Sequence, residues 1–119
     1  MPSQSVAQAE ALPQPVVPIY SLTPEQKGAL NFAGIFVAHA QEANGILQRR
    51  GSSTNFNNVI TAAERSIARI LQDNPSSEAR NEFTGFLDAT RRSLAGQPDS
   101  AKAPIVTAFL QECGAKYGL

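Results

Sequence analysis

Few side chains in this sequence are of types that carry chemistry, and they lie far apart. His39 is the only histidine and Cys113 the only cysteine. A general base needs an orienting partner beside a substrate cleft; Glu42, one helical turn after His39, is a candidate orienter, but nothing in the sequence indicates a cleft. A catalytic thiol needs basic neighbours that lower its pKa, and Lys116 alone is a weak one. We therefore expect a packed or interface histidine and a buried, unreactive cysteine.

The remaining combinations of polar residues are also poor candidates for a reaction centre. Glu78 and Glu82 share a helix face, but no neighbouring feature would raise the pKa of either carboxyl group. A metal ion needs three or four ligands, which one histidine and one cysteine on different helices do not supply. The glycines are scattered and form no phosphate-binding loop. The sequence therefore predicts that the protein is not an enzyme and has no catalytic, cofactor-binding or metal-binding residues.

Length and charge narrow the class of protein further. The 119 residues suit one domain, and ten basic and ten acidic side chains leave no net charge to attract nucleic acid or an anionic membrane. We interpret the basic clusters as solvated helix faces, with a shared phosphate-binding face as the alternative. These clusters are Arg49–Arg50, Arg65 with Arg69, and Arg91–Arg92.

The cysteine content and the hydropathy of the sequence predict the cellular compartment. A single cysteine excludes an internal disulfide and is typical of a reducing environment. No segment approaches the roughly 20 consecutive apolar residues that a membrane span requires. A secretory signal would begin with a basic residue followed by an apolar segment, and the sequence near Met1 has neither. We therefore expect a cytoplasmic protein that does not bind membranes.

Residues 1–22 are rich in proline and predict an extended or flexible arm before a single helical domain at residues 23–119. The second half of this arm is more apolar than a linker needs to be. Two interpretations stay open: the arm packs over its own domain, with Leu22 against the first helix, or it orders against a partner. Its candidate contact residues are Val16, Val17, Ile19 and Tyr20.

The element that must position everything else is a long helix at about residues 24–50. Thr23 and Gln26 predict a capping box at its start, and Gly51 suits the left-handed position that closes a helix. Two apolar stripes run along it, which predicts either a central helix of a bundle or a helix shared with a partner. One stripe is Phe32, Ile35, Phe36, His39, Ala43, Ile46 and Leu47, and the other is Leu30, Ala33, Val37 and Ala40.

Three glycines interrupt this helix, at a cost of about 1 kcal/mol each relative to alanine. Close approach of a second helix would explain why Gly28, Gly34 and Gly45 are there.

Three shorter helices follow, at about residues 54–72, 76–95 and 100–116, which completes an all-α bundle of about four helices. Ser53 or Thr54 is the expected cap of the second helix, and the third begins either after Asn74 or after Ser76 or Ser77. The expected buried face of the last helix is Ile105, Val106, Phe109, Leu110, Cys113 and Tyr117.

Without a reaction centre, three classes of function remain. The first is a regulator that binds another protein through apolar helical surface. The second is a small helical DNA-binding or nucleoid-type protein, because a short turn joins the second and third helices; the zero net charge and the early glutamates Glu78 and Glu82 argue against it. The third is a helical small-ligand binder, which the lack of converging polar groups argues against.

The layout of the chain resembles the small helical quorum-sensing anti-activators of the QslA type. The resemblance rests on the proline-rich opening through Tyr20–Glu25, the run Phe32–His39 and the helix Ala62–Arg69. It implies a cytoplasmic homodimer that binds the ligand-binding domain of a LuxR-type transcription activator. Occupying the dimerisation surface of that activator would keep it off DNA.

We therefore expect a protein interface and no direct contact with nucleic acid. A charge introduced by Phe36→Glu should abolish dimerisation or partner binding while the helices persist, whereas unfolding would place Phe36 in the core. The candidate interface residues are Val16, Val17, Ile19, Tyr20, Phe32, Ile35, Phe36 and His39.

Overall fold

The computed structural model describes residues 22–119, which form four α-helices and no strand. The helices are α1 (Pro24–Arg49), α2 (Asn57–Asp73), α3 (Ser77–Ala95) and α4 (Asp99–Cys113), followed by a short 3₁₀ helix at Gly114–Tyr117. The predicted all-α bundle of about four helices is confirmed. The predicted arm, with Val16, Val17, Ile19 and Tyr20, lies outside the described residues.

Helix α1 is the central element of the bundle. Its 26 residues extend about 39 Å and pack against α2, α3 and α4. Both apolar stripes are buried by these neighbours: Phe36 and Ile46 of one stripe, and Leu30 and Val37 of the other, are each less than 5% exposed. Other helices of the same chain therefore cover residues of both stripes, as expected for the central helix of a bundle.

The ends of α1 have the expected caps. The Thr23 side chain accepts a hydrogen bond from the Gln26 amide at 3.1 Å, and the Gln26 side chain accepts one from the Thr23 amide at 3.1 Å. Gly51 has a φ of +74°, the left-handed conformation that a side chain would disfavour.

The start of α2 differs from the prediction. The helix begins at Asn57, and neither Ser53 nor Thr54 caps it. Instead, the Asn44 side chain of α1 accepts a hydrogen bond from the Phe56 amide at 2.7 Å, and the Asn55 side chain accepts one from the Asn57 amide at 3.0 Å. The long-range bond from α1 fixes where α2 starts, which local sequence could not indicate.

Helix α3 uses the second of its two predicted starts and packs closely on α1. The Ser76 hydroxyl accepts a hydrogen bond from the Ala79 amide at 3.2 Å. A Cβ atom at Gly34 would lie 2.7 Å from the Phe83 carbonyl oxygen, so glycine is what allows α1 and α3 to approach. Nothing lies near a Cβ at Gly28 and only the Arg49 side chain near one at Gly45, so close packing explains Gly34 alone.

Charged side chains attach α4 to α1. The Lys102 ammonium group, which is largely buried, donates a hydrogen bond to the Glu42 carboxylate at 2.5 Å. The Arg49 guanidinium donates two hydrogen bonds to the Asp99 carboxylate, at 2.7 and 2.8 Å. Together with the inward residues Val106 and Leu110, these bonds determine which face of α4 points outward.

Candidate functional site

Helix α4 carries apolar residues on its outer side as well as its inner side. Helices that are apolar all round are normally covered by other elements, yet this one is covered on one side only. Ile105 is 46% exposed, which corrects its expected place in the buried face. We call the outward set, spaced at positions i, i+3, i+4 and i+7, the α4 stripe; it consists of Ala101, Pro104, Ile105 and Ala108.

An apolar groove of about 480 Å³ lies beside this stripe, between the last turns of α1 and the flank of α4. Its walls are mostly aliphatic and aromatic, and Arg50 is the only charged residue among them. The lining residues are Ala43, Ile46, Leu47, Arg50, Thr54, Phe56, Ala103, Val106, Thr107, Leu110, Gln111 and Leu119.

One wall of the groove depends on a turn at the C-terminus. Gly118 has a φ of +90°, which lets the chain fold back so that the Leu119 amide donates a hydrogen bond to the Gly114 carbonyl at 3.0 Å. The Leu119 side chain then packs where a Cβ of residue 114 would lie, and it is still 52% exposed. Glycine at both positions is needed to bring Leu119 to the groove.

The groove and the α4 stripe form one continuous surface. Residues three apart on a helix differ by about 60° in direction, so Pro104 and Ala108 of the stripe directly adjoin Thr107 and Gln111 of the groove wall. We call the groove and the stripe together the α4 surface. It offers apolar area with few charges, which is the character of the buried centre of a protein interface.

The described candidates from α1 occupy less accessible positions. Phe36 has no exposed surface, because its ring lies 4.7 Å from the Tyr117 ring and 6.3 Å from the Phe109 ring within the core. Phe36 is therefore reassigned from a candidate interface to the core. Phe32 and Ile35 are half-buried, and their contact with a partner stays a prediction.

The imidazole of His39 is held by packing and one hydrogen bond. Its Nδ1 lies 2.8 Å from the Ile35 carbonyl oxygen, and because a carbonyl only accepts, Nδ1 carries the proton. The ring stacks on Phe109 with centroids 4.0 Å apart and planes 12° from parallel. His39 is 8% exposed, so most of its surface is already covered. Cys113, expected to be buried, is half-buried.

The α4 stripe is the feature that sequence reasoning missed. Ala101, Pro104, Ile105 and Ala108 have the same helical spacing that revealed two stripes on α1. Applied to α4, that spacing would have predicted a second apolar face.

Within residues 22–119, no group of three or more His, Cys, Asp or Glu side chains is placed to hold a metal ion. None of the helices in this part of the chain has the length and apolar character needed to cross a membrane. The chain matches no protein-family model, and searches of curated proteins and of solved structures find no match.

Proposed function

We propose that the protein is a non-enzymatic regulator that binds another protein through the α4 surface. The observation that carries this proposal is the outward α4 stripe beside an apolar groove. Within residues 22–119, the exposed large hydrophobic side chains are Phe86, Ile105 and Leu119. Ile105, at 46%, and Leu119, at 52%, lie on this surface. Contiguous apolar surface of this kind marks interaction sites on proteins.

The chemistry of the α4 surface indicates what it binds. Its apolar walls suit the apolar face of a helix or loop of a folded partner. Arg50 is the one charged residue in the groove lining, so an acidic side chain at the edge of the partner segment would match it. Ile105 on the stripe and Leu119 at the groove are the expected main contributors to affinity.

The residues that could carry out chemistry have structural roles, which supports a non-enzymatic function. The His39 ring is stacked on Phe109, and the Glu42 carboxylate accepts the hydrogen bond of Lys102. Each of these groups would have to abandon a packing contact or an ion pair to act on a substrate.

The partner that we propose is the ligand-binding domain of a LuxR-type transcription activator. This choice rests on the resemblance to the QslA-type anti-activators. A cytoplasmic homodimer bound at the dimerisation surface of the activator would keep that activator monomeric and off its operator. The α4 surface is the part of the described chain that we propose occupies this dimerisation surface.

The functional test combines the purified chain with a purified LuxR-type activator and its operator duplex. Increasing amounts of the chain should lower the fraction of duplex bound in an electrophoretic mobility assay, and light scattering should show a complex that contains both proteins. Unchanged operator binding at a large molar excess of the chain would contradict the anti-activator function. Direct binding of the duplex by the chain alone would favour the DNA-binding alternative instead.

A further inference from the structure

A polar surface pocket of about 380 Å³, open to solvent, lies between α2 and the 3₁₀ helix, and we call it the cavity. Pockets of this size commonly bind small molecules. Half of its lining residues are cations, and none is acidic. The lining consists of Ala62, Arg65, Ser66, Arg69, Lys116 and Tyr117.

The three cations of this cavity have no carboxylate partner among residues 22–119. Arg65 and Arg69 are four residues apart on α2, so their guanidinium groups rise from the same helix face. Lys116, on the 3₁₀ helix, lines the same cavity, and its ammonium group lies over the Phe32 ring, 5.0 Å from the centroid. Arg49, Arg91 and Lys102 each form an ion pair, whereas other cations such as Arg80 and Arg92 do not. The cavity is distinguished because three cations line one pocket with no carboxylate of the described residues within ion-pairing distance.

A buried hydroxyl group at the same cavity lacks a partner. Tyr117 is 8% exposed, and its Oη atom has no hydrogen-bond partner within the described residues. Native proteins rarely leave such a group unsatisfied. Tyr117 forms part of the cavity wall, but its Oη atom lies beneath the surface, so an anion oxygen would accept its hydrogen bond only after a small movement of the side chain. The Ser66 hydroxyl, on the same wall, is a further donor.

We propose that this cavity binds the phosphate or diphosphate group of a small molecule. Two neighbouring guanidinium groups present paired donors that match phosphate oxygens, and Lys116 adds a third positive charge. A diphosphate carries more than two negative charges and several acceptor oxygens, whereas a carboxylate carries one charge and two oxygens. A diphosphate therefore matches three cations better. The site is separate from the α4 surface, so it stands or fails independently of the proposed protein partner.

The first test uses isothermal titration calorimetry with sodium pyrophosphate at physiological salt. The double variant R65Q/R69Q should bind about tenfold more weakly or worse, because it loses charge-assisted hydrogen bonds. The matched control is R80Q/R92Q, which removes the same net charge from exposed arginines of α3 and should bind as the native chain does. An equal loss in both variants would mean non-specific attraction and would overturn the proposal, as would no binding to the native chain.

A second test uses Tyr117→Phe and does not depend on charge. Removing an unsatisfied hydroxyl should keep or raise the melting temperature of the free protein, while the rise in melting temperature caused by pyrophosphate should become smaller. No rise in melting temperature with pyrophosphate in the native chain would overturn the proposal, and an equal rise in Tyr117→Phe would contradict a contact between the anion and the hydroxyl. Binding of random duplex DNA through Arg65 and Arg69, with no pyrophosphate binding, would overturn the small-molecule site in favour of a nucleic-acid contact.

Discussion

The Lys102 ammonium group of α4 lies 2.5 Å from the Glu42 carboxylate of α1, and its side chain is only 9% exposed. A lysine this buried needs a partner, because desolvation disfavours its charge. The pair thus restricts the rotation of α4 about its own axis. With Lys102, Val106 and Leu110 facing inward, Ala101, Pro104 and Ala108 face outward. Ile105 lies at the edge between the two faces and is 46% exposed.

Removing the Glu42 carboxylate should destabilise the folded protein. Glu42→Gln leaves the buried ammonium group without its charged acceptor and should lower the free energy of unfolding by about 1–3 kcal/mol. Urea denaturation followed by circular dichroism measures this value. Glu64→Gln removes an equal charge from an exposed position of α2 and should change stability by less than about 0.5 kcal/mol. Equal effects of the two substitutions would show that the ion pair does not hold α4.

Two glycine substitutions in α1 should have opposite effects. Gly34→Ala places a Cβ atom 2.7 Å from the Phe83 carbonyl oxygen, which is backbone and cannot rotate away, so α1 and α3 must separate. The free energy of unfolding should fall by about 1–3 kcal/mol. Gly28→Ala meets nothing within 4 Å and should stabilise the helix by about 0.5–1 kcal/mol. Thermal denaturation of both variants tests these two predictions. A Gly34→Ala variant as stable as the native chain would contradict the close approach of α1 and α3.

Acid should weaken the second link between α1 and α4. The hydrogen bonds from Arg49 lower the pKa of the Asp99 carboxyl below its ordinary value of 3.8. A group whose pKa is lower in the folded state stabilises the fold above its unfolded pKa, and this contribution is lost as the pH falls through the folded pKa. Asp99→Asn should therefore be less stable than the native chain at pH 7 and should approach it below about pH 4. A constant stability difference between Asp99→Asn and the native chain from pH 7 to pH 3 would contradict this link.

Alkaline pH should destabilise the folded protein through the ionisation of Tyr117. Burial raises the pKa of its phenol above the ordinary value of 10.0. The folded state thus holds this proton more tightly, and the resulting stability is present below pH 10 and lost as the pH rises through the folded pKa. Denaturation at increasing pH should show a decline in the native chain that is smaller in Tyr117→Phe. An identical decline in both would mean that Tyr117 titrates as freely as an exposed tyrosine.

Local signals predicted the helices well because their causes are local. The Thr23–Gln26 capping box and the left-handed Gly51 depend only on neighbouring residues, and both are present. The predicted start of α2 was wrong because the Phe56 amide at the start of the helix donates its hydrogen bond to the side chain of Asn44, twelve residues earlier. Spacing on α1 identified two buried stripes but could not say that other helices of the same chain cover both.

The candidate surface was harder to predict, because exposure depends on how α4 is rotated against α1. Ile105 and Val106 are adjacent and both aliphatic, so composition does not distinguish the inward residue from the outward one. The Lys102–Glu42 pair joins residues sixty positions apart. Only the tertiary arrangement shows that Val106 faces the core and that Ile105 faces outward.

The most direct test of the α4 surface compares two single charge substitutions at exposed hydrophobic residues. Ile105 on α4 is 46% exposed, and Phe86 on α3 is 39% exposed and is not part of the α4 surface. Calorimetric titration with the ligand-binding domain of a LuxR-type activator should give a dissociation constant roughly thirtyfold higher for Ile105→Glu, a loss of about 2 kcal/mol. Phe86→Glu should bind as the native chain does, and circular dichroism should show both variants folded. Native affinity in Ile105→Glu, or an equal loss in Phe86→Glu, would contradict binding through the α4 surface.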